Sequence, residues 1–446
     1  MNSLCCPSRA AILTGKHSKA NGVIGNSSNW NGKQWVYPRE LGKAGYQTAL
    51  IGKWHLKGNP TDEFQHWDIL SGKGGQGSYF NPVFLSAKGE KRTLGHSTKI
   101  ITDKTLKWLK ERDKKMPFLV CAQYKTPHIH RLPPPKFMGQ YDRLDFPVPQ
   151  TFFDDFSTRS SFVSETWMAL KGMKGHVLNI APSESEIKAN PKLMPPFLRE
   201  MTPPQRTAWH QAYDPRNLKM KELEESGKLN GENRPLYIYQ RFIKDYIRCV
   251  DGLDDQVGRL LRYLDQAGLK DNTIVIYSSD QGFFTGEHGW AEKRWMYEES
   301  FKSPLLMRWP GVIKPGTVID ALVQNIDLAP TLLKAAKIEV PVSVHGRALQ
   351  PILSGKSDPS WRKDILYQYF DGGTREKRGP YNMPRHEGVR DQRYKLISFY
   401  EFNEWEFYDL QEDPSELNNL IQSPSMQDQI KRLKQRLIQL KIAYGN

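Results

Sequence analysis

Three short apolar, β-branched runs, at 46–52, 118–124 and 273–277, each stop at a polar cluster. The clusters are Lys53-Trp54-His55, Thr126-Pro127-His128 and Ser278-Ser279-Asp280-Gln281-Gly282. Helical patterns lie between and around them, at 98–112, 237–266 and 327–336, with Asp327 expected as an N-cap. Shorter helices are expected at 7–15 and 38–44, and a further strand at 305–309. This alternation predicts an α/β fold, a mostly parallel central sheet flanked by helices. In such sheets ligands bind at the carboxyl ends of the strands. Three separate strand ends therefore carry polar side chains toward one edge.

Elsewhere the texture changes. Periodicity weakens from about 133 to 235, where Pro and polar residues dominate, and the segment reads as an insertion of loops and short helices. Past Ser360, short strands at 364–369, 386–390, 394–400 and 406–410 precede a basic amphipathic helix at 426–440. They predict a small C-terminal antiparallel sheet plus helix. The expected division is a large α/β domain over 1–358 and an α+β subdomain over 359–446. A chain of 446 residues with 38% hydrophobic content is long enough for both.

Charge narrows the partners. The formal net charge of +15 favours acidic ones: nucleic acid, anionic membranes or sulfated glycans. The basic residues are scattered rather than gathered in a tail. No apolar run approaches the length of a membrane span. Four cysteines in so long a chain make no disulfide framework; Cys121 and Cys249 read as buried thiols.

The strongest chemical signal is Cys5-Cys6-Pro7-Ser8-Arg9-Ala10-Ala11-Ile12-Leu13-Thr14-Gly15. It puts a reactive side chain just before a helix N-terminus, where free N–H groups and the helix dipole favour an anion. Arg9, one turn on, adds a cation. Gly52-Lys53-Trp54-His55, Lys125-Thr126-Pro127-His128, Ser279-Asp280-Gln281-Gly282 and Glu292-Lys293-Arg294 follow in order. Taken together these segments resemble the type I, formylglycine-dependent sulfatases of the alkaline-phosphatase-like superfamily, and the resemblance covers nearly the whole chain.

The resemblance implies a sulfuric ester hydrolase acting on a sulfated carbohydrate, with a glycosaminoglycan as best guess; a phosphoester or phosphonate hydrolase of the same superfamily is the alternative. It implies that a separate formylglycine-generating or maturase enzyme oxidises Cys5 to formylglycine. The hydrated aldehyde would attack sulfur, Arg9, Lys53 and Lys293 would stabilise the sulfate oxygens, His128 would protonate the leaving oxygen, and His55 would help release sulfate. Asp280, Gln281 and the oxygen at position 5 would bind Ca2+ or Mg2+. His288 is expected to face the substrate, and Arg385, His386 and Arg390 to reach the sugar, with a surface role kept beside that reading. No nucleic-acid partner is implied, and the family is usually exported to the periplasm or beyond the cell.

The sequence departs from the family in one respect. Sulfatases normally begin with a strand ending in two adjacent aspartates that bind the metal, and here the chain opens inside the segment leading to Cys5. Asp154-Asp155 and Asp254-Asp255 lie in the insertion and in a helix. The expectation is an N-terminally truncated chain that binds metal weakly and is catalytically poor, or an inactive sulfate- or glycan-binding fragment.

Overall fold

The computed structural model describes residues 2–173, 178–355, 358–373 and 382–445. Its first helix, α1 (Cys5–Thr14), is capped by Gly15 in the left-handed conformation, whose N–H donates to Ala11 O. After α2 (Tyr37–Lys43) come β1 (Gln47–Gly52) and β2 (His66–Leu70), then β3 (Val83–Ser86) and β4 (Gly89–Arg92). Helix α3 (Ser97–Glu111) leads into β5 (Phe118–Gln123). These strands form one sheet in the order β4-β3-β2-β1-β5. Its centre, β2-β1-β5, is parallel, and β3 and β4 extend it antiparallel.

Strand β1 is apolar and buried over Thr48–Gly52 because both faces are covered. Leu50 and Trp67 meet Cys6, Ala10, Leu13, Tyr37 and Leu41 from the flanking helices. The strand ends where Gly52 takes a φ of 110°. A side chain there would put its Cβ 2.0 Å from Gln123 O, so only glycine lets β1 and β5 close at their carboxyl ends.

The region of weak periodicity contains a 23-residue helix, α4 (Pro203–Glu225), with Pro215 inside it. The expectation of short helices there fails because tertiary burial of Trp209 and Tyr213 outweighs one lost backbone hydrogen bond. Helix α5 (Asn233–Gln266) follows, then β6 (Val275–Ser278), the short pair β7 (Phe284–Thr285) and β8 (Ala291–Glu292), and β9 (Leu305–Arg308). Among the described residues β6 pairs only with β9, antiparallel. The edges of β5 and β6 away from their partners thus remain unpaired, and a cavity of about 1320 Å³ lies along them. Val120, Ala122, Ile276, Val257 and Leu261 line it, and Arg9, Lys53, Asp280 and Lys293 stand in its wall.

Helix α6 (Leu328–Ala335) begins just after Asp327, but that carboxylate is no side-chain cap. It accepts from the N–H groups of Gln324 and Arg347 and pairs with Arg362. The C-terminal strands β10 (Asp364–Tyr369), β11 (His386–Asp391), β12 (Tyr394–Phe399) and β13 (Glu404–Asp409) make an antiparallel sheet in chain order. Period-two alternation divides its faces. Leu366, Val389, Leu396 and Phe407 pack on α7 (Gln427–Ala443), while Ile365, Tyr367, Tyr369 and Phe399 pack on Trp290, Trp295 and Tyr297. No helix among the described residues is long and apolar enough to cross a membrane.

Candidate active site

Cys5 sits in the first turn of α1 rather than before it, with Leu4 as the extended N-cap, and is 1% exposed. Within that turn Cys6 N donates to Asn26 Oδ1 at 3.4 Å and Ser8 N to Leu4 O at 3.0 Å, and Pro7 has no N–H. Arg9, one turn on, joins three strand ends. Its Nε donates to Asp280 Oδ2 at 3.0 Å, and a terminal nitrogen donates to Lys53 O at 2.6 Å and to Gln123 Oε1. Ser8 Oγ donates to Asp280 O and accepts from Asn325 Nδ2 at 2.8 Å. The Pro-Ser-Arg run therefore acts as a clamp that fixes Asp280, just past β6, against Lys53, just past β1.

Lys53 is 3% exposed, and burial lowers its pKa against the opposing pull of Cys5 and Asp280. Burial also works against the charge of Lys293, but Glu292, 3.3 Å away, outweighs it and the pKa rises. Burial raises the pKa of Asp280, yet Arg9, Lys53 and Lys293 together pull it down to about 2. Trp54, between Lys53 and His55, points into the core beside α1.

His55 has a left-handed backbone, φ 57°, and its carbonyl accepts from Cys6 Sγ at 2.5 Å. Burial, Lys53 and Arg9 push its pKa down to about 2, so the ring is neutral. His128 is held through Nδ1–H to Ile129 O at 2.8 Å, which leaves Nε2 with its lone pair. Burial, Lys293 and Lys53 depress its pKa well below the ordinary range. The neighbouring His130 instead stacks on Phe197.

The four residues expected to face the substrate or reach the sugar each have partners within the protein. His288 is 1% exposed; its Nδ1 bonds Asp154 Oδ2 at 2.7 Å, and Phe284, Trp290 and Tyr297 surround it. It pins the loop before Lys293 to Asp154. His386 is fully buried among Trp295, Tyr367, Tyr369 and Phe399, with Nδ1 donating to Pro384 O. Burial lowers its pKa to about 4. Arg390 pairs with Glu298 at 3.5 Å, and the more exposed Arg385 pairs with Glu401. His386 and Arg390 hold the C-terminal sheet against the 290–301 segment.

The donors near Asp280 do not fit a self-sufficient divalent-cation site. Calcium takes six to eight oxygens. Among the described residues no three His, Cys, Asp or Glu side chains converge. Asp280 is paired to Arg9 and drawn on by two lysines. One atom does suit a cation: Gln281 Oε1 is buried without a hydrogen-bond partner.

Residues 1–338 match the family model described as Sulfatase, and 286–443 match N-sulphoglucosamine sulphohydrolase, C-terminal. The chain is 39% identical over 98% of its length, and 77% of the relative's, to an N-acetylglucosamine-6-O-sulfatase of Bacteroides thetaiotaomicron. It is 26% identical over 83% of its length to a human N-acetylglucosamine-6-sulfatase, covering 60% of that protein. Its fold is similar to that of a protein solved in complex with its substrate, D-glucosamine-2-N,6-O-disulfate: TM-score 0.94, 38% identity, 100% of this chain and 89% of that one.

Proposed function

This chain belongs to the sulfatase family, the sulfuric ester hydrolases, and from that premise we propose that it removes the 6-O-sulfate of an N-substituted glucosamine. The likeness to N-acetylglucosamine-6-O-sulfatase and to the protein bound to a 2-N,6-O-disulfated glucosamine supports this substrate. The observation that carries the site is the gathering of Lys53, Lys293 and Asp280 around Cys5 at a helix N-terminus.

As formylglycine hydrate, produced by a separate maturation enzyme, position 5 would supply the oxygen nucleophile. The remaining chemistry follows from the chain's own side chains. Arg9 is committed to Asp280, Lys53 O and Gln123, so Lys53 and Lys293 are the ammonium groups left to balance sulfate oxygens. Burial is the largest cause of the depressed His128 pKa, and a bound sulfate ester would offset the next two, Lys293 and Lys53. It thereby lets the imidazole take a proton at Nε2 and pass it to the departing sugar oxygen. His55 stays neutral and serves as a proton acceptor beside Lys53.

We propose that Asp280 and Gln281 contribute to a divalent-cation site that needs further carboxylates to bind tightly. We further propose that the enzyme works outside the cytoplasm, in the periplasm or beyond the cell. The test of the substrate is release of inorganic sulfate, after coexpression with a formylglycine-generating enzyme. The panel is N-acetylglucosamine-6-sulfate, glucosamine-2-N,6-O-disulfate, galactose-6-sulfate and glucosamine-6-phosphate. Turnover of the first two, with little of the others, is expected. Preference for the phosphate ester, or for galactose, would overturn the reading.

A further inference from the structure

Strand β10 runs on past Tyr369 to a carboxylate, Asp371, that neither the motifs nor the reaction uses. It is half-buried, and its neighbours place it at the rim of the Cys5 site. On one side the carboxyl packs directly on Gly25, where a Cβ would stand 2.6 Å from Asp371 Oδ1. The backbone N–H of the next residue, Asn26, donates to the carboxylate. The side chain of that same asparagine accepts from Cys6 N at 3.4 Å, so a single residue separates Asp371 from the first turn of α1. On the other side lies Arg294, the chain neighbour of Lys293. Its guanidinium attracts the carboxylate, and its carbonyl accepts from Tyr367 Oη on β10. Burial raises the pKa of Asp371, and Arg294 and the Asn26 N–H pull the other way.

A carboxylate at this rim works against the lysines below it. Lys53 and Lys293 are set out for an anion, and a negative charge beside them weakens their hold on it. What Asp371 contributes therefore lies on a part of the substrate other than the sulfate. A sulfated amino sugar carries O–H and N–H donors around its ring, and an ionised carboxylate only accepts. We propose that Asp371 is a specificity-determining residue that accepts hydrogen bonds from the C3 and C4 ring hydroxyls of the sulfated sugar. Two oxygens on one carboxylate match two neighbouring hydroxyls, whereas the acetamide offers a single N–H. The proposal rests on the sulfatase reading for the ester whose sugar is held. The C-terminal sheet then selects the sugar, while the strand ends of the central sheet hold the sulfate.

The test compares wild type with Asp371→Asn, in the whole chain carrying formylglycine. Asparagine keeps the size and an acceptor for the Asn26 N–H, and removes the charge. The substrates are N-acetylglucosamine-6-sulfate, its 3-deoxy and 4-deoxy analogues, and 4-nitrophenyl sulfate, which has the ester without ring hydroxyls. On the sugar sulfate, kcat/KM of Asp371→Asn should fall about 10- to 100-fold, the worth of a hydrogen bond to a charged group. On 4-nitrophenyl sulfate it should hold or rise, because a negative charge beside the anion has gone. Wild type should lose a similar factor on a deoxy analogue, and the variant should lose little more there, since both changes remove one interaction. An equal fall on sugar and aryl sulfates overturns the proposal, as expected of a merely structural clamp. So do deoxy analogues that wild type turns over as well as the parent, a result that needs no variant to fold. Calorimetric binding to the non-reacting Cys5→Ser chain reads the same contact without turnover. There Asp371→Asn should weaken N-acetylglucosamine-6-sulfate by that factor and leave inorganic sulfate as tight or tighter. A wild type that prefers galactose-6-sulfate, with Asp371→Asn still selective against sugar over aryl sulfate, sinks the glucosamine reading and leaves this one standing.

Discussion

Asp280→Asn separates the cost of the clustered cations from the shape of the site. Asparagine keeps the size of the side chain and an acceptor for Arg9 Nε, and removes only the charge. Burial disfavours the Asp280 carboxylate, and Arg9, Lys53 and Lys293 overcome that penalty and bring its pKa from 3.8 to about 2. At about 1.4 kcal/mol per pH unit, the fall corresponds to about 2.5 kcal/mol of stability. Stranding buried cations by removing their partner costs about 3–5 kcal/mol in well-buried pairs. The expected loss is therefore about 2–4 kcal/mol at pH 7. Because the folded pKa is depressed, this contribution is present above about pH 4 and is lost as pH falls through about 2. The assay is urea unfolding followed by tryptophan fluorescence, in EDTA, at pH 7, 5 and 3.5. The difference between wild type and variant should hold from pH 7 to 5 and begin to shrink at 3.5. A variant within about 0.5 kcal/mol of wild type at pH 7, or a gap independent of pH, would refute the reasoning.

Three further outcomes are expected. His386→Ala, which empties a buried aromatic cage, should cost about 3 kcal/mol in urea unfolding, yet leave KM for a sulfated glucosamine unchanged in the folded fraction. Glu416 is buried beside Lys395 and near Glu298; burial raises its pKa to about 7. Its contribution is thus full below about pH 4.5 and lost as pH rises through about 7, so the stability of wild type relative to Glu416→Gln should fall between pH 5 and 8 in parallel urea titrations. A dry void of about 1320 Å³ would cost roughly 30 kcal/mol, more than a whole domain's stability, so the cavity beside β5 and β6 is solvated. Leu261→Ala on its wall should then cost under about 1 kcal/mol and Leu50→Ala in the packed sheet about 3, measured by the same unfolding assay.

Much of the site was legible in the chain because its chemistry is local to strand ends. Lys53 and His55 follow β1, His128 follows β5 and Asp280 follows β6, and an apolar run that stops at polar residues marks such an end without any tertiary information. The α/β alternation and the C-terminal sheet with its helix came from the same periodicities, 2.0 and 3.6. The buried protein partners of His288, His386 and Arg390 were not legible because they are remote in the chain. Asp154 lies 134 positions from His288, and Glu298 lies 92 from Arg390. Nothing in the local pattern of a histidine says whether the space around it will be solvent, substrate or stacked rings. Gln76, which touches the His55 ring, and Gln123 carried no motif.

Sequence alone determined which residue types stand at the strand ends, since backbone period and steric preference act over a few neighbours. The tertiary structure decided strand order, the unpaired edges of β5 and β6, and which charges meet: Arg9 with Asp280 across 271 positions, Lys395 with Glu298 and Glu416. Those outcomes depend on burial, and burial belongs to the packed whole. The same lysine is a solvated surface charge or a depressed, anion-seeking one according to what the rest of the chain puts around it.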